Sequence, residues 1–555
     1  MNLANLRSYG LVLTTILLSA CTTVGPDFQR QSESAVLPSQ WTQQQVNADS
    51  QSTALWWQQF NDPILNTLIT QASQQNLDVE AAGLRILQAR SVLGIADGFR
   101  YPQVQALSGN LAYAYQNNHS FNNAALTFDA GWEMDVWGKY ARGIESAQAS
   151  YYASVASYND ILVTITSEVA RNYINYRTFQ ERILLSQRNI EIQQRVVNIT
   201  RVQFESGNVT ELDVQQAQNQ LFTTMAALPS LKVAMLQAKN ALAVLLGTLP
   251  EYVEPMLHND ESKLTRNEQQ FQSTGKKVSA RESDIQSMVP STLPLEPSID
   301  ASLILRRPDL QVAELQAHAQ SAQIGVAEAA LYPSFSLFGS IGVNSTTPTG
   351  SSFSFSDSLM LVAGPSFSWN IFQYGRIKNN VRFEDARFQE TLTNYNKKVL
   401  QAVQEVTNAL DAYQLYQQQQ ALRLQSVDAS IRAFNISMTQ YENGQISFER
   451  LLSSLEKMTR SEDSYAQIKG NVANQVVALY KSLGGGWQVN SGKPFISNDL
   501  VETMTQRSDW GGALSEDAVT LPASSQPRAS GAIDSSPANQ ETSSQATPLA
   551  NKEPH

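Results

Sequence analysis

A single cysteine, Cys21, among 555 residues excludes any internal disulfide. The four histidines, His119, His258, His318 and His555, are scattered without metal-ligand spacing. His318 follows Glu314 by four residues, a spacing that reads as a surface pair on a helix. Positive charge is in deficit, and a net charge of -11 argues against nucleic acid as a partner. The sequence contains no phosphate-binding loop, no nucleophile elbow and no zinc-protease helix, so it offers neither a catalytic constellation nor a cofactor site. Past the N-terminus no apolar run approaches the roughly 20 residues of a spanning helix, which leaves any membrane crossing to strands. The most informative absence is of helix breakers. Two stretches, Ile144–Ser206 and Arg376–Asn443, contain neither glycine nor proline.

Those stretches belong to a unit that occurs twice, about 235 residues apart. A Tyr-Pro pair precedes each, Tyr101-Pro102 and Tyr332-Pro333. Trp132-Glu133-Met134-Asp135-Val136-Trp137-Gly138-Lys139 is answered by Trp369-Asn370-Ile371-Phe372-Gln373-Tyr374-Gly375-Arg376. Each stretch ends alike, in Phe204-Glu205-Ser206-Gly207 and Tyr441-Glu442-Asn443-Gly444. Duplication at this scale decides the fold class before any single element does.

In the second stretch apolar residues recur at Ile377, Val381, Phe388, Leu392, Tyr395, Val399, Val403, Val406, Leu410 and Tyr413, one stripe of a helix. Sixty-odd residues at 1.5 Å each make a helix of roughly 100 Å. Globular helices average about three turns, so a coiled coil or helical tube is required. Second helices follow each tip, Thr210–Leu246, interrupted at Pro229, and Ser447–Leu483. Gly207 and Gly444 suit the turns between them. Ahead of these units, Asp62-Pro63 opens a helix from Ile64 to about Ala96, and Arg306-Arg307-Pro308-Asp309 opens its counterpart, Leu310–Ala330.

Strands lie between the Tyr-Pro pairs and the long helices. Leu107, Leu111, Tyr113 and Tyr115 alternate with Ser108, Asn110 and Ala112; Leu126, Phe128, Ala130, Trp132, Met134 and Val136 alternate with Thr127, Asp129, Gly131, Glu133 and Asp135. The second unit repeats the pattern through Phe335–Val343 and Leu359–Ile371. Strands of about ten residues with one apolar, aromatic face fit a transmembrane β-barrel; the alternative is the edge of a soluble sandwich. Four strands cannot close a barrel, and open edges are not tolerated in lipid. Two chains would supply eight strands and three would supply twelve, and a duct needs the larger number. Asp129, Glu133 and Asp135 fall on the non-lipid face, where they would favour cations in a lumen, although solvation of a wet wall explains them equally well.

Residues 1–20 carry Arg7, the apolar run Leu11–Leu18 and small residues before Cys21, the pattern of a secretory signal. Leu18-Ser19-Ala20-Cys21 also matches the bacterial lipoprotein box, in which the cysteine becomes the acylated first residue; an ordinary signal with a chance cysteine is the alternative. Thr22 stands where an aspartate would retain a lipoprotein at the inner membrane, which favours outer-membrane sorting. The chain thus divides into a signal peptide (1–20), a lipid-anchored segment (21–60), a first repeat (61–249), a polar, proline-interrupted linker (250–300), a second repeat (301–487) and a C-terminal tail (488–555) disordered from about 515.

Taken together, the lipoprotein box, the Tyr-Pro pairs, the Trp132–Lys139 corner, Arg306-Arg307-Pro308-Asp309 and the terminal Leu483-Gly484-Gly485-Gly486-Trp487 resemble the TolC-like outer membrane efflux proteins, in particular their lipoprotein branch, over roughly residues 20–490. The resemblance implies a mainly α fold with a transmembrane β-barrel. In it a homotrimer builds a twelve-stranded barrel on a twelve-helix periplasmic tunnel, with an equatorial domain made by the linker and chain ends. It implies a passive duct for drugs or other small toxic compounds, working with a periplasmic adaptor and an inner-membrane pump. Alternatives are a protein-secretion duct of the same fold and a lipid-anchored coiled-coil scaffold. By resemblance the tips, Gly207-Asn208-Val209 and Gly444-Gln445-Ile446, contact the adaptor, though a plain hairpin turn accounts for them too. The family's lipoprotein branch places Leu and Asp five and nine residues after the second tip glycine. Glu449 and Ser453 occupy those positions here, so the family's rings are not carried over as such. Glu449 could supply a displaced acidic ring at a periplasmic gate, or pair with Arg450 or another cation on a solvated face. The repeats are unequal at this point: Glu211-Leu212-Asp213 follows the first tip and Phe448-Glu449-Arg450 the second.

Overall fold

The computed structural model describes residues 23–30, 54–257, 287–291, 304, 306–348 and 354–521. The signal peptide, Cys21, most of the linker and the tail beyond 521 lie outside the described residues.

Asp62 starts α1 (Pro63–Gln75): its Oδ1 accepts the amides of Ile64 and Leu65 at 3.0 and 3.1 Å, and Pro63 occupies the first turn, where its missing donor costs nothing. The single helix expected from Ile64 to Ala96 is broken at Asn76. Its extended backbone ends α1, and its Oδ1 accepts the amides of Asp78 and Val79 to start α2 (Leu77–Gly98). Then follow β1 (Val104–Gln116), β2 (His119–Met134), α3 (Lys139–Glu205), α4 (Glu211–Leu245) and α5 (Pro250–Leu257). The second repeat supplies α6 (Pro308–Ala329), β3 (Ser334–Pro348), the short α7 (Phe355–Ser358), β4 (Leu359–Ser368), α8 (Arg376–Glu442) and α9 (Phe448–Ser482). The chain closes with α10 (Asn498–Arg507) and α11 (Glu516–Val519).

The duplication is metrical. α3 and α8 have 67 residues each and α4 and α9 have 35, and their starts keep one offset of 237 positions, 139 to 376 and 211 to 448. α2 and α6 have 22 residues each, 231 positions apart, at 77 and 308. The twin of α6 is therefore α2, and the helix opened by Asp62-Pro63 has no counterpart among the described elements. At offset 237 the four hairpin-helix ends repeat one device. Gly207, Gly247, Gly444 and Gly484 all have positive φ, between 65° and 74°. In each the next amide reaches back five residues, as Asn208 to the Gln203 carbonyl (2.9 Å) and Gln445 to the Gln440 carbonyl (2.8 Å).

Three expectations are corrected. α4 runs unbroken through Pro229. The linker begins as a helix, α5, whose Val253 and Leu257 are buried. Residues 515–521 are packed: Val519 joins the core, and its carbonyl accepts the Phe495 amide at 2.9 Å. α4 also proves apolar and long enough, by composition, to cross a membrane, with little of it buried within the chain. Lys232 and Lys239 divide its apolar residues, so no single apolar run marks it in the sequence.

The four strands form one antiparallel sheet in the order β1-β2-β3-β4, and pairing of β2 with β3 joins the repeats. β1 and β4 are its edges. Leu107, Leu111, Leu361 and Phe367 on its apolar face are exposed. Below the sheet α4 packs on α3, α9 on α8, and α9 also on α3. α6 packs between α3 and α8, and α2 against α3. The main core lies midway down the long helices, where Trp56, Leu65, Ile69, Leu162, Tyr173, Leu242 and Val476 meet; a second, with Phe434, Leu451, Leu455 and Met458, lies toward the tips.

Candidate functional site

The hairpin tips are built from equal turns and unequal first helical turns. A side chain at Gly207 or Gly444 would meet open space, so positive φ alone calls for glycine there. Val209 and Ile446 pack on the tip core, whereas Gln445 is exposed and Asn208 donates to Gln203 Oε1 at 2.8 Å. Asp213 is engaged in a capping box, its Oδ2 accepting both the Thr210 amide and hydroxyl at 2.9 Å. Its twin is Arg450, so the second tip lacks that box. Glu211 is exposed, and its twin Phe448 is buried against Tyr441 with ring centroids 5.8 Å apart. Glu449 and Ser453 are exposed one turn apart on α9. They line a cleft of about 500 Å³ with Ser430, Ser437, Arg450 and Lys457. Glu449 makes no ion pair among the described residues, with Arg450 or any other cation, so its carboxylate stays available to the cleft.

Between the hairpins lies a joint of charge, buried at Glu181, Arg188 and Glu462, that sequence reading missed. Arg188 pairs with Glu462, whose Oε2 also accepts Asn189 Nδ2 at 3.0 Å. Arg182 forks onto Asp463 at 2.7 and 3.0 Å. Glu181 pairs with Lys469 and accepts the Ser287 hydroxyl and the Met288 amide, both at 3.1 Å, so one carboxylate ties the returning linker to both repeats. Charges at positions of a buried helical stripe were the signal. Partners some 280 positions away concealed it.

Of the three strand acids, Asp129 accepts the Ser340 hydroxyl across the sheet at 2.6 Å. Glu133 takes Lys139 Nζ at 3.1 Å and the Tyr140 hydroxyl at 3.0 Å. Asp135 falls beyond the end of β2, where it accepts the amides of Tyr140 and Ala141 at 3.1 and 2.7 Å and neutralises the start of α3.

Residues 23–30, immediately after the acylation motif, form an extended strap laid over α3 and α6. The Val24 amide donates to the Trp137 carbonyl at 3.1 Å. Buried Arg142 donates to the carbonyls of Val24 and Gly25 at 3.2 Å and to Asp27 and Glu145 at 2.7 Å. Glycines let the backbone in: Thr23 lies on Gly138 and Gly25 on Gly325. His318 does not pair with Glu314. Its Nε2 lies 3.0 Å from Glu145 Oε1 and its ring stacks on Phe28 at 4.8 Å, while Glu314 takes Arg30 at 2.7 Å. Burial works against ionised Glu145, but hydrogen bonds from His318 and Arg142 outweigh it and lower its pKa. Burial raises that of Glu314, with Arg30 and His318 opposing. Among the described residues no three His, Cys, Asp or Glu side chains converge as a metal site would.

A family model described as outer membrane efflux protein matches residues 68–248 and 301–485, the two repeats. The chain is 28% identical over 501 residues to the pyoverdine export outer membrane protein OpmQ of Pseudomonas putida, covering 87% of this chain and 98% of that one. It is 24% identical over 485 residues to the probable outer membrane lipoprotein SilC of Salmonella typhimurium, covering 86% and 98%. The solved outer-membrane channel OprN superposes with a TM-score of 0.71 at 29% identity, over 84% of this chain and 99% of that one.

Proposed function

Since this chain belongs to the outer membrane efflux protein family and is an outer membrane efflux channel, we propose that three copies close into a passive, non-enzymatic duct, a twelve-stranded barrel on a twelve-helix tunnel. One observation carries this reading. Within the chain the α9 stripe Glu462, Gly470 and Ala473 is buried against α3. The twin stripe on α4, Met225, Val233 and Leu236, extended by Phe222 and Val244, is exposed, and α4 has no comparable contact with α8. On α8, Leu400 and Leu415 are exposed at 65% and 63%, while their α3 twins Val163 and Thr178 are buried at 4% and 7%. The chain thus presents the two halves of a joint it already makes once, on faces that only another copy can bring together. Cyclic closure by such head-to-tail contacts consumes every copy's faces and both free sheet edges.

In this reading Cys21 carries the lipid, for which the name of SilC is the nearest support. The tips Gly207-Asn208-Val209 and Gly444-Gln445-Ile446 meet a periplasmic adaptor that couples the duct to an inner-membrane pump. Glu449 and Ser453, with Glu211, line the periplasmic gate, where Asp213 serves the turn itself. Asp129 and Glu133 give the upper lumen its negative wall, while Asp135 supports the strand-to-helix corner. The name of OpmQ, pyoverdine export, supports small compounds over secreted protein as cargo.

The test is to place aspartate at Val233 and Leu236 together. The mature protein extracted from outer membranes is expected to be a trimer by light scattering, and the double variant a folded monomer that no longer restores resistance to toxic compounds. A wild-type monomer, or a double variant still trimeric, would sink the proposal.

A further inference from the structure

At its end toward the sheet the strap groove is built twice and filled once. Gly138 and Gly325 receive Thr23 and Gly25. Their twins are Gly375 at offset 237 and Gly94 at offset 231. Among the described residues a side chain at Gly94 would meet open space, and a Cβ at Gly375 would meet only the Asn379 side chain, at 3.6 Å. The α3–α6 contact within the chain corresponds to α8 of one copy against α2 of the next. That groove therefore exists only in the closed assembly, so the inference rests on the trimer reading. Each chain has one N-terminal strap, which leaves three twin grooves per trimer without one.

Their chemistry differs from that of the filled groove. Arg142, which grips strap carbonyls, becomes Asn379, and the acidic Glu145 becomes Arg382, exposed and, among the described residues, bonded to Asn379 Oδ1 at 3.1 Å. Glu314, the partner of strap Arg30, becomes Gly83, on which the backbone of Phe495 packs, so the open part of the twin groove ends above it. A groove that sets Arg142 among Glu145 and Glu314 has thus become one whose charge is the Arg382 cation, which favours an anion. Its other wall is apolar: Val92 and Ile95 on α2 and Phe383 on α8 are all more than half exposed. Toward the sheet come Ile371 and Phe372, likewise exposed, and toward the helices Arg376 and Lys378. Apolar side chains on the strand side and cations on the helix side match the order of layers at a membrane interface. In the reading that Cys21 carries the lipid, the strap gives the same depth, because Thr23 lies two residues from it in sequence.

We propose that each twin groove binds one anionic phospholipid of the leaflet facing the periplasm, its headgroup on Arg382 and Asn379 and its chains along Phe383, Val92 and Ile95. The lipid takes the place that the strap occupies in the other three grooves.

Native mass spectrometry of the detergent-extracted trimer, titrated with phosphatidylglycerol or phosphatidylcholine, tests this. About three phosphatidylglycerols per trimer are expected, bound on the order of tenfold more tightly than phosphatidylcholine. Arg382→Glu, and the milder Arg382→Gln, should erase that preference while the trimer persists. A trimer that binds both lipids equally, that keeps its preference in Arg382→Glu, or that carries a peptide in the groove overturns this proposal alone. A monomer in the same spectrum overturns the trimer reading and this one with it.

Discussion

Gly470 on α9 lies against Thr178 on α3 so closely that a methyl group added to it would overlap Thr178 Oγ1 and stand 2.9 Å from Cγ2. The Thr178 hydroxyl cannot turn away freely, because it donates to the Ile174 carbonyl at 2.7 Å. Gly470→Ala is therefore expected to force the two helices apart and destabilise the protein by about 1–3 kcal/mol, the usual cost of overpacking. Adding Thr178→Ala should recover most of the loss. Melting followed by circular dichroism of single and double variants checks both, and equal destabilisation in the two would show that the contact is not the cause.

The joint a few turns nearer the tips carries a different liability. Glu462 is 3% exposed and Arg188 lies beside it, so Glu462→Leu strands a guanidinium in the wall. Removing one partner of a buried pair costs about 3–5 kcal/mol, whereas replacing both by a compatible neutral pair is often neutral. The repeat itself supplies such a pair: the twins of Arg188 and Glu462 are Gln425 and Met225. Arg188→Gln with Glu462→Met is expected to fold with near wild-type stability, while either change alone is not. Chemical denaturation of the four proteins completes the cycle.

Most of this architecture was legible because duplication and periodicity are local properties written twice. The 67-residue helices, the glycine tips and the four strands follow from where helix breakers, alternation and Tyr-Pro pairs fall. The break at Asn76 was not legible, since apolar periodicity continues across it and the Asn76 cap acts through one side chain. Pro229 misled for the opposite reason: the helix on either side overrides one missing donor. The candidate acids divided by context. Asp135 and Asp213 look alike in sequence to Asp129 and Glu449, but lie within reach of a helix N-terminus and are used there. The strap groove and the Arg188–Glu462 pair depend on residues more than a hundred positions apart, which no local pattern records.

The strap should loosen in acid. The Glu145 pKa is lowered in the folded protein, so its bonds to Arg142 and His318 contribute stability above the ordinary carboxylate range, near 4.3, and lose it as the pH falls through and below that range. Glu314 acts in reverse: its raised pKa favours the fold at low pH and opposes it as pH rises. The difference between wild type and Glu145→Gln isolates the first contribution. Hydrogen exchange at the Val24 amide, which donates to Trp137, is expected to quicken below about pH 4 in the wild type and to be fast and nearly pH-independent in the variant, once intrinsic exchange is divided out. Identical pH profiles would remove Glu145 as the strap's latch.

If the second tip forms the proposed gate, the Glu449 carboxylate sets what it selects. Glu449 faces the cleft with Arg450 and Lys457 close by, yet forms no ion pair among the described residues. In a trimer three such carboxylates around one axis would attract cations. Glu449→Ala is expected to reduce cation preference in planar bilayers without changing the folded trimer. Ser453→Asp restores a carboxylate one turn away on the same face, so it should return part of the selectivity to Glu449→Ala. Glu211→Ala, on the exposed first turn of α4, offers the contrast: its twin is the buried Phe448, so the two tips cannot form equivalent rings. Unchanged conductance and ion preference in Glu449→Ala would move the gate away from this residue and leave the cleft as part of the tip surface.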